Sequence, residues 1–367
     1  MNLIQSNIKK MIEEKAGELG FVKIGFAKAD ILQRESDNLK QWLANGYDAD
    51  MKWIKRGFDK RKDVKLILKD AKTVISLAYN YYSPIQHDQT KPKISRYAWG
   101  KDYHKILKKK LKELCDYVLH CEERSDEAIP LTHPEIASSR NPGLAMTVAY
   151  VDDGPVMDKV WASRAGIGWM GKHTNIINPE YGSWLFLSEI ITNLEFESYD
   201  SPIEDLCGSC RICIDACPTG AIVDEYVLDA NLCISYQTIE NRGEIPDYID
   251  LNGWVFGCDV CQDVCPFNKN DKPTEDKSFY PAPLVPPEGG KELNVGDKNK
   301  SPFDEDGTVS KSPFVKGEAQ SAGGFPTKAE LESITEEEFN KIFSDSPVKR
   351  TKFKGWRRNL GKIDIGE

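Results

Sequence analysis

Cys207-Gly-Ser-Cys210-Arg-Ile-Cys213-Ile-Asp-Ala-Cys217-Pro218, then Cys233, then Cys258-Asp-Val-Cys261-Gln-Asp-Val-Cys265-Pro266, carry eight of the ten cysteines in the chain. In the first block, C-x2-C-x2-C-x3-C-P, three close thiolates hold one cubane and the fourth reaches across to a second. Eight thiolates so spaced suit two [4Fe–4S] clusters. A cysteine just before proline starts a helix that carries it toward the opposite site. By that logic Cys207, Cys210, Cys213 and Cys265 serve one cluster, and Cys217, Cys233, Cys258 and Cys261 the other, with the residues between Cys233 and Cys258 forming a loop. Paired C-x2-C knuckles also make structural zinc sites. Two Cys-Pro ends and a triple cysteine spacing are not knuckle features.

Composition agrees with a globular chain. Its 367 residues are 40% hydrophobic and 29% charged, enough for two or three domains with real cores. Disulfides are not expected, because the sequence reads as cytoplasmic, without a signal peptide or a long apolar span. A net charge of −9 argues against attraction of nucleic acid by the whole surface, so any such contact needs a local basic patch.

Outward from the cysteines, the remaining elements follow from periodicity. Leu3 to Leu19 recurs at helical spacing and closes at Gly20, Phe21–Phe26 reads as a strand, and Asp37–Ala44 as a helix capped by Asp37. Lys55–Asp63 reads as a charged linker and Lys72–Tyr79 as a buried strand. The segment Ile94–His104 sets aromatic residues, Arg96, Asp102 and His104 beside a glycine, a composition suited to a ligand pocket. A helix from His104 to His120 turns Lys105, Lys108, Lys109, Lys110 and Lys112 to solvent, and Glu122–Asn141 reads as a surface insertion. Thr147–Pro155 is a strand entering a turn, so Asp152 and Asp153 stand at a strand end on opposite faces. In Trp161–Asn175 the glycines Gly166, Gly168 and Gly171 let backbone amides approach a ligand, and Ser183–Thr192 is a further strand. Asn268–Phe325 reads as largely disordered, and Glu330–Phe343 as one short helix. Beyond it Lys349, Arg350, Lys352, Lys354, Arg357, Arg358 and Lys362 interleave with Phe353 and Trp356, an electrostatic footprint for phosphate.

Ser95-Arg-Tyr-Ala-Trp-Gly-Lys-Asp-Tyr-His104, Val151-Asp-Asp-Gly-Pro155, Ala165-Gly-Ile-Gly-Trp-Met-Gly-Lys172, the two cysteine blocks, and Lys349-Arg-Thr-Lys-Phe-Lys-Gly-Trp-Arg-Arg-Asn359 together resemble the epoxyqueuosine reductase family. The resemblance runs over nearly the whole chain. It fails at the Glu122 region and near 285–325, and the helical-repeat extension of longer members is absent. It implies a cobalamin-dependent oxidoreductase that removes the epoxide oxygen from epoxyqueuosine at the tRNA wobble position. The implied fold is α+β: an N-terminal α/β cobalamin-binding domain over 1–195, a ferredoxin-like two-cluster domain over 196–275, a low-complexity linker over 276–328 and a basic helical C-terminus over 329–367. The implied acid is Asp152, with Asp153 in the variable slot of the motif. The implied cobalamin contacts are Arg61, Tyr97, Ala98, Asp102, Trp169, Lys172, His173 and Thr174. Cobalt is expected without a histidine ligand, since no D-x-H-x-x-G motif is present. The tRNA is assigned to Lys349, Arg350, Arg357 and Arg358, and electrons to an external carrier such as flavodoxin or ferredoxin. A monomer is expected, without a membrane partner. A cobalamin-dependent reductive dehalogenase is the rival enzyme, although its twin-arginine leader is missing from Met1–Lys15. A ferredoxin-type electron carrier fused to a binding domain is the rival without catalysis.

Overall fold

The computed structural model describes residues 2–123, 146–269, 272–281 and 325–364. At its centre lies a four-stranded sheet in the spatial order Lys23–Lys28, Thr73–Asn80, Leu185–Thr192, Thr147–Tyr150, antiparallel throughout. Every residue of Thr73–Asn80 is buried. Alternate side chains of a strand point to opposite faces, so Ile75, Leu77 and Tyr79 meet one core while Val74 and Ala78 meet another. That two-sided burial explains why the strand reads as a continuous apolar run rather than an alternating one.

Helices Asn2–Glu18 and Tyr103–Glu123 cover the first face, the latter through Leu107, Leu111, Leu114 and Val118. The short helix Asp158–Arg164 covers the second, through Trp161 and Ala162. The helix expected at Asp37 begins at Gln33, and Asp37 accepts from the Gln33 side chain inside it rather than capping it. The charged linker is two short helices, Lys52–Arg56 and Phe58–Lys62, hinged at Gly57. The expected insertion beyond Glu123 and the expected disorder over 282–324 lie outside the described residues. Residues 272–281 are ordered by packing, with Phe279 buried in the first core.

A third core crosses all the expected domain boundaries. It joins Ile94 and Trp99, Ile234 and the strand Trp254–Phe256, and Phe325, Phe339, Trp356 and Leu360. The expected Glu330–Phe343 helix is two helices, Lys328–Ser333 and Glu336–Ile342, each opened by a reciprocal cap: Thr327 with Glu330, and Thr335 with Glu338. In the last helix, Lys352–Lys362, Asn359 donates to the carbonyls of Thr238 and Val255 at 2.8 and 2.9 Å. The C-terminal segment is therefore part of the folded body. Trp356 is 0% exposed, so Trp356→Ala should cost about 3–5 kcal/mol, read as a lowered midpoint in a denaturant titration. An unchanged midpoint would return this segment to the status of an appended tail.

Candidate functional site

The first cysteine quartet gathers beside the glycine-rich segment. Cys265 is buried in a small cluster with Trp169 and Ile177, against which Cys207 and Phe267 pack. Burial first, then the charge of Cys207, Cys213 and Cys210, raises the Cys265 thiol to about 11. Burial and the nearby Cys207 and Cys210 raise Cys213. In the second quartet burial raises Cys261 far above its usual value, with Cys233 and Cys217 as neighbouring charges, and Cys258 feels Cys261 and Cys233. Cys213 also acts on Cys261, so the two quartets adjoin. Crowded thiols in a buried setting stay protonated unless a cationic metal core offsets their mutual repulsion. Of the two Cys-Pro ends, only Cys265 opens a helical turn, Pro266–Asn268; Cys217 enters a tight turn closed by Gly220.

One cavity of about 440 Å³ connects this cysteine wall to the sheet domain. Cys217, Cys233, Cys258 and Cys261 line it on one side, while Tyr81, Tyr97, Tyr103, Phe186 and Asp152 line it from the sheet domain. The cysteine loop is fixed to the aromatic wall through Asp259, 1% exposed. Its carboxylate accepts from the Ser95 hydroxyl and from the Arg96 backbone N–H, and the Arg96 guanidinium lies 3.6 Å from Asp259 and 2.5 Å from Asp263. Gly257, at φ +70°, passes so close to Ser95 that a Cβ there would overlap it.

Asp152 lies past the end of the strand Thr147–Tyr150, at φ +52°. Strand alternation therefore does not separate it from Asp153; a left-handed turn does. Asp152 accepts from the Tyr103 hydroxyl at 2.6 Å, whereas Asp153 pairs with Lys108 at 2.5 Å. Thr174 also holds a positive φ, +65°, a conformation costly for a β-branched residue and concentrated at functional sites. Burial, reinforced by Asp152, keeps the Tyr103 phenol well above its usual value and so protonated.

Of the expected cofactor contacts, Tyr97, His173 and Thr174 line the cavity. The other five lie outside its lining. Ala98 is in the third core, Asp102 caps His104, Arg61 lies half-buried near Asp158, and Trp169 donates to the Cys207 sulfur at 3.5 Å. Lys172 spans the Gly208 carbonyl and Glu225 at 2.6 and 2.7 Å. The glycines also differ from expectation. Gly166 and Gly168 press against the carbonyls of Ser201 and Ile177, so they serve the chain's own packing.

Sequence reasoning missed Lys159, which also lines the cavity and whose ammonium donates to the Thr174 carbonyl and to Asn175 Oδ1, both at 2.9 Å. Surrounding protein lowers its pKa, opposed by Asp152 and Cys261. No local pattern marks a lone lysine on a seven-residue helix. Deeper still, the carboxyls of Asp158 and Glu189 lie close together, each pushed up first by burial, with Asp152 adding a like charge.

Eight thiols in two adjoining quartets, one of them facing an aromatic cavity with a carboxylate, define an iron–sulfur oxidoreductase. Residues 206–268 match the family described as "4Fe-4S double cluster binding domain", and residues 61–130 match "Epoxyqueuosine reductase QueG, DUF1730". The chain is 40% identical over 361 residues to an epoxyqueuosine reductase of Atelocyanobacterium thalassa, covering 96% of this chain and 98% of that one. It superposes at TM-score 0.72 and 30% identity on an epoxyqueuosine reductase solved with an epoxyqueuosine-modified tRNA-Tyr stem loop, covering 97% of this chain and 80% of that one. The Bacillus subtilis enzyme, with a catalytic aspartate loop swung out of its active site, gives the same score, identity and coverage. This chain belongs to the epoxyqueuosine reductase family.

His173 provides a test of the cavity's polarity. Burial, then the nearby Lys159 charge, lowers its pKa from 6.5 to about 4. Between those values the unfolded chain takes up a proton that the folded one refuses. The stabilising contribution is thus complete above pH 6.5 and lost as pH falls toward 4. NMR titration of the metal-free protein should find this imidazole neutral down to about pH 4, and His173→Gln should flatten the acid side of the stability curve.

Proposed function

We propose that this protein reduces epoxyqueuosine to queuosine at the wobble position of tRNA, with cobalamin in the cavity and a [4Fe–4S] cluster on each quartet. The observation that carries the proposal is the shared cavity, in which Asp152 and the cysteines of the second quartet line one space. Its size falls in the range of about 300–1,000 Å³ usual for cofactor and ligand sites. The aromatic side chains of the sheet side give a corrin ring apolar surface to pack against. His173 supports the fit independently: its Nδ1 accepts from the Asn175 N–H at 3.2 Å, so the neutral ring carries its proton on Nε2, which is buried without a partner among the described residues. A bound ligand would supply the acceptor. Tyr97, His173 and Thr174, with Ser95 and Asn175, line the cavity and would be the residues to hold it.

Removing an epoxide oxygen takes two electrons and two protons and leaves an alkene and water. Cobalamin and the clusters would supply the reducing chemistry, fed singly by a carrier such as flavodoxin or ferredoxin. The chain itself supplies the first proton, to the oxygen as it departs, and solvent supplies the second that completes the water. Tyr103 donates to Asp152 Oδ2, which leaves Oδ1 to bear the proton that passes to the departing oxygen. Tyr103 is thus a positioning residue, and Lys159 steadies Thr174 and Asn175 beside it. The relative solved with modified tRNA supports the substrate, and the mobile catalytic aspartate loop of the Bacillus subtilis enzyme supports the role of the Asp152 turn.

Nucleoside mass analysis of epoxyqueuosine-bearing tRNA should show Asp152→Asn converting at least about a hundredfold more slowly than wild type while still binding cobalamin. Asp153→Asn should stay near wild type; the reverse ranking moves the acid to Asp153. Cluster ligation is tested separately. Reconstituted protein should hold about eight irons, and Cys265→Ser should lose the signal of the Cys207 quartet. Full iron with both spectra unchanged would refute the cross-ligation.

A further inference from the structure

The RNA-binding charge expected at the C-terminus is largely occupied. Arg358 donates to the carbonyls of Asn241, Gly243 and Gln237 at 2.9, 2.6 and 2.7 Å, and Arg350 grips Glu240 through two bonds at 2.7 and 3.1 Å. Arg357 donates to the Glu332 carbonyl, and Lys362 pairs with Asp247 at 3.0 Å. Phe353 and Trp356 pack inward. The lysine face of Tyr103–Glu123 is similarly engaged, with Lys105 on Asp345, Lys108 on Asp153 and Lys112 on Asp116.

The two short helices over 52–62 contrast with both. They hold six cations, Lys52, Lys55, Arg56, Lys60, Arg61 and Lys62, against the single anion Asp59. Lys52, Lys55, Arg56 and Lys60 are exposed, and no ion pair among the described residues engages them. Beside them Trp53 shows 39% of its surface. The location matters as much as the charge. Gly57 packs on Pro155, at the end of the Asp152 turn, and the Asp50 N–H donates to the Tyr236 hydroxyl at 3.2 Å, next to cavity residue Ser235. The Arg350 guanidinium lies 5.9 Å from the Trp53 ring, so the C-terminal segment borders this patch.

We infer that the helices over 52–62 form the phosphate-binding rim of the cavity, on which the anticodon stem loop lies while its wobble base enters. Lys52, Lys55, Arg56 and Lys60 contact the backbone, and Trp53 offers a face for an unstacked base. This rests on the proposed tRNA substrate and names the surface that receives it. Contacts made to phosphate and not to the reacting atoms act on binding, so their loss raises KM with kcat held.

The test replaces Lys52, Lys55, Arg56 and Lys60 together by glutamine and measures affinity for an epoxyqueuosine-bearing anticodon stem loop across a salt series. The salt slope should flatten by roughly three units, at about 0.7–0.9 per lost phosphate contact. KM should rise, with kcat, iron content and cobalamin binding retained. Trp53→Ala, a single exposed change, should weaken binding about tenfold at constant slope. Lys354→Gln with Arg357→Gln should do much less. Unchanged affinity in the quadruple variant overturns the inference. So does slower cluster reduction by flavodoxin with RNA binding intact, which would make the patch a docking face for an acidic protein. Conversion of the same stem loop by the wild type decides the proposed function independently.

Discussion

The carboxylate of Asp259 joins the two chemical halves of this protein. It sits between Cys258 and Cys261, and it is fixed to the aromatic wall by Ser95 and Arg96. A buried charge is costly unless it is paired and hydrogen-bonded, and stripping one partner from such a pair costs about 3–5 kcal/mol. The cysteine loop and the Ser95–Tyr97 wall therefore share one low-energy arrangement. That arrangement places the second quartet at the cavity and leaves Asp152 to approach from the sheet.

The sheet provides the other fixed reference. Thr73–Asn80, buried on both faces, holds Leu185–Thr192 beside it, and Thr147–Tyr150 adds an edge whose end delivers Asp152. The strained turn there and the left-handed Thr174 oppose the surrounding rigidity. Strain of about 1–3 kcal/mol per residue persists only where neighbours over-determine the backbone. Tyr103 and Lys159 are those neighbours.

What the sequence revealed depended on how local each signal is. Cysteine spacing is a property of adjacent residues, so both quartets could be grouped before any fold was known. Asp152 was singled out through the resemblance carried by Val151–Pro155, and Thr73–Asn80 was legible through its composition. Side-chain direction was not legible. Trp169 and Lys172 lie in a motif that borders the cavity, yet both turn to the Cys207 loop because Gly168 presses that strand against Ile177. The C-terminal cations looked free because most of their partners are distant in sequence: Arg358 binds backbone carbonyls of 237–243, and Arg350 and Lys362 bind the carboxylates of Glu240 and Asp247. The helices over 52–62 were hidden for the opposite reason: charged side chains around Gly57 give no apolar period. Thr327-x-x-Glu330 and Thr335-x-x-Glu338 were two readable caps, and together they would have split the single expected helix.

The third core also fixes an order of assembly. Its members run from Ile94 through Phe256 to Ile363, so the strand beside the Cys258 loop lacks its covering helix until the C-terminal segment has been made. Chains emerge from the ribosome at about 5–20 residues per second, N-terminal part first. The sheet domain can thus collapse during synthesis, before the segment that covers the strand Trp254–Phe256 beside the second quartet has been made.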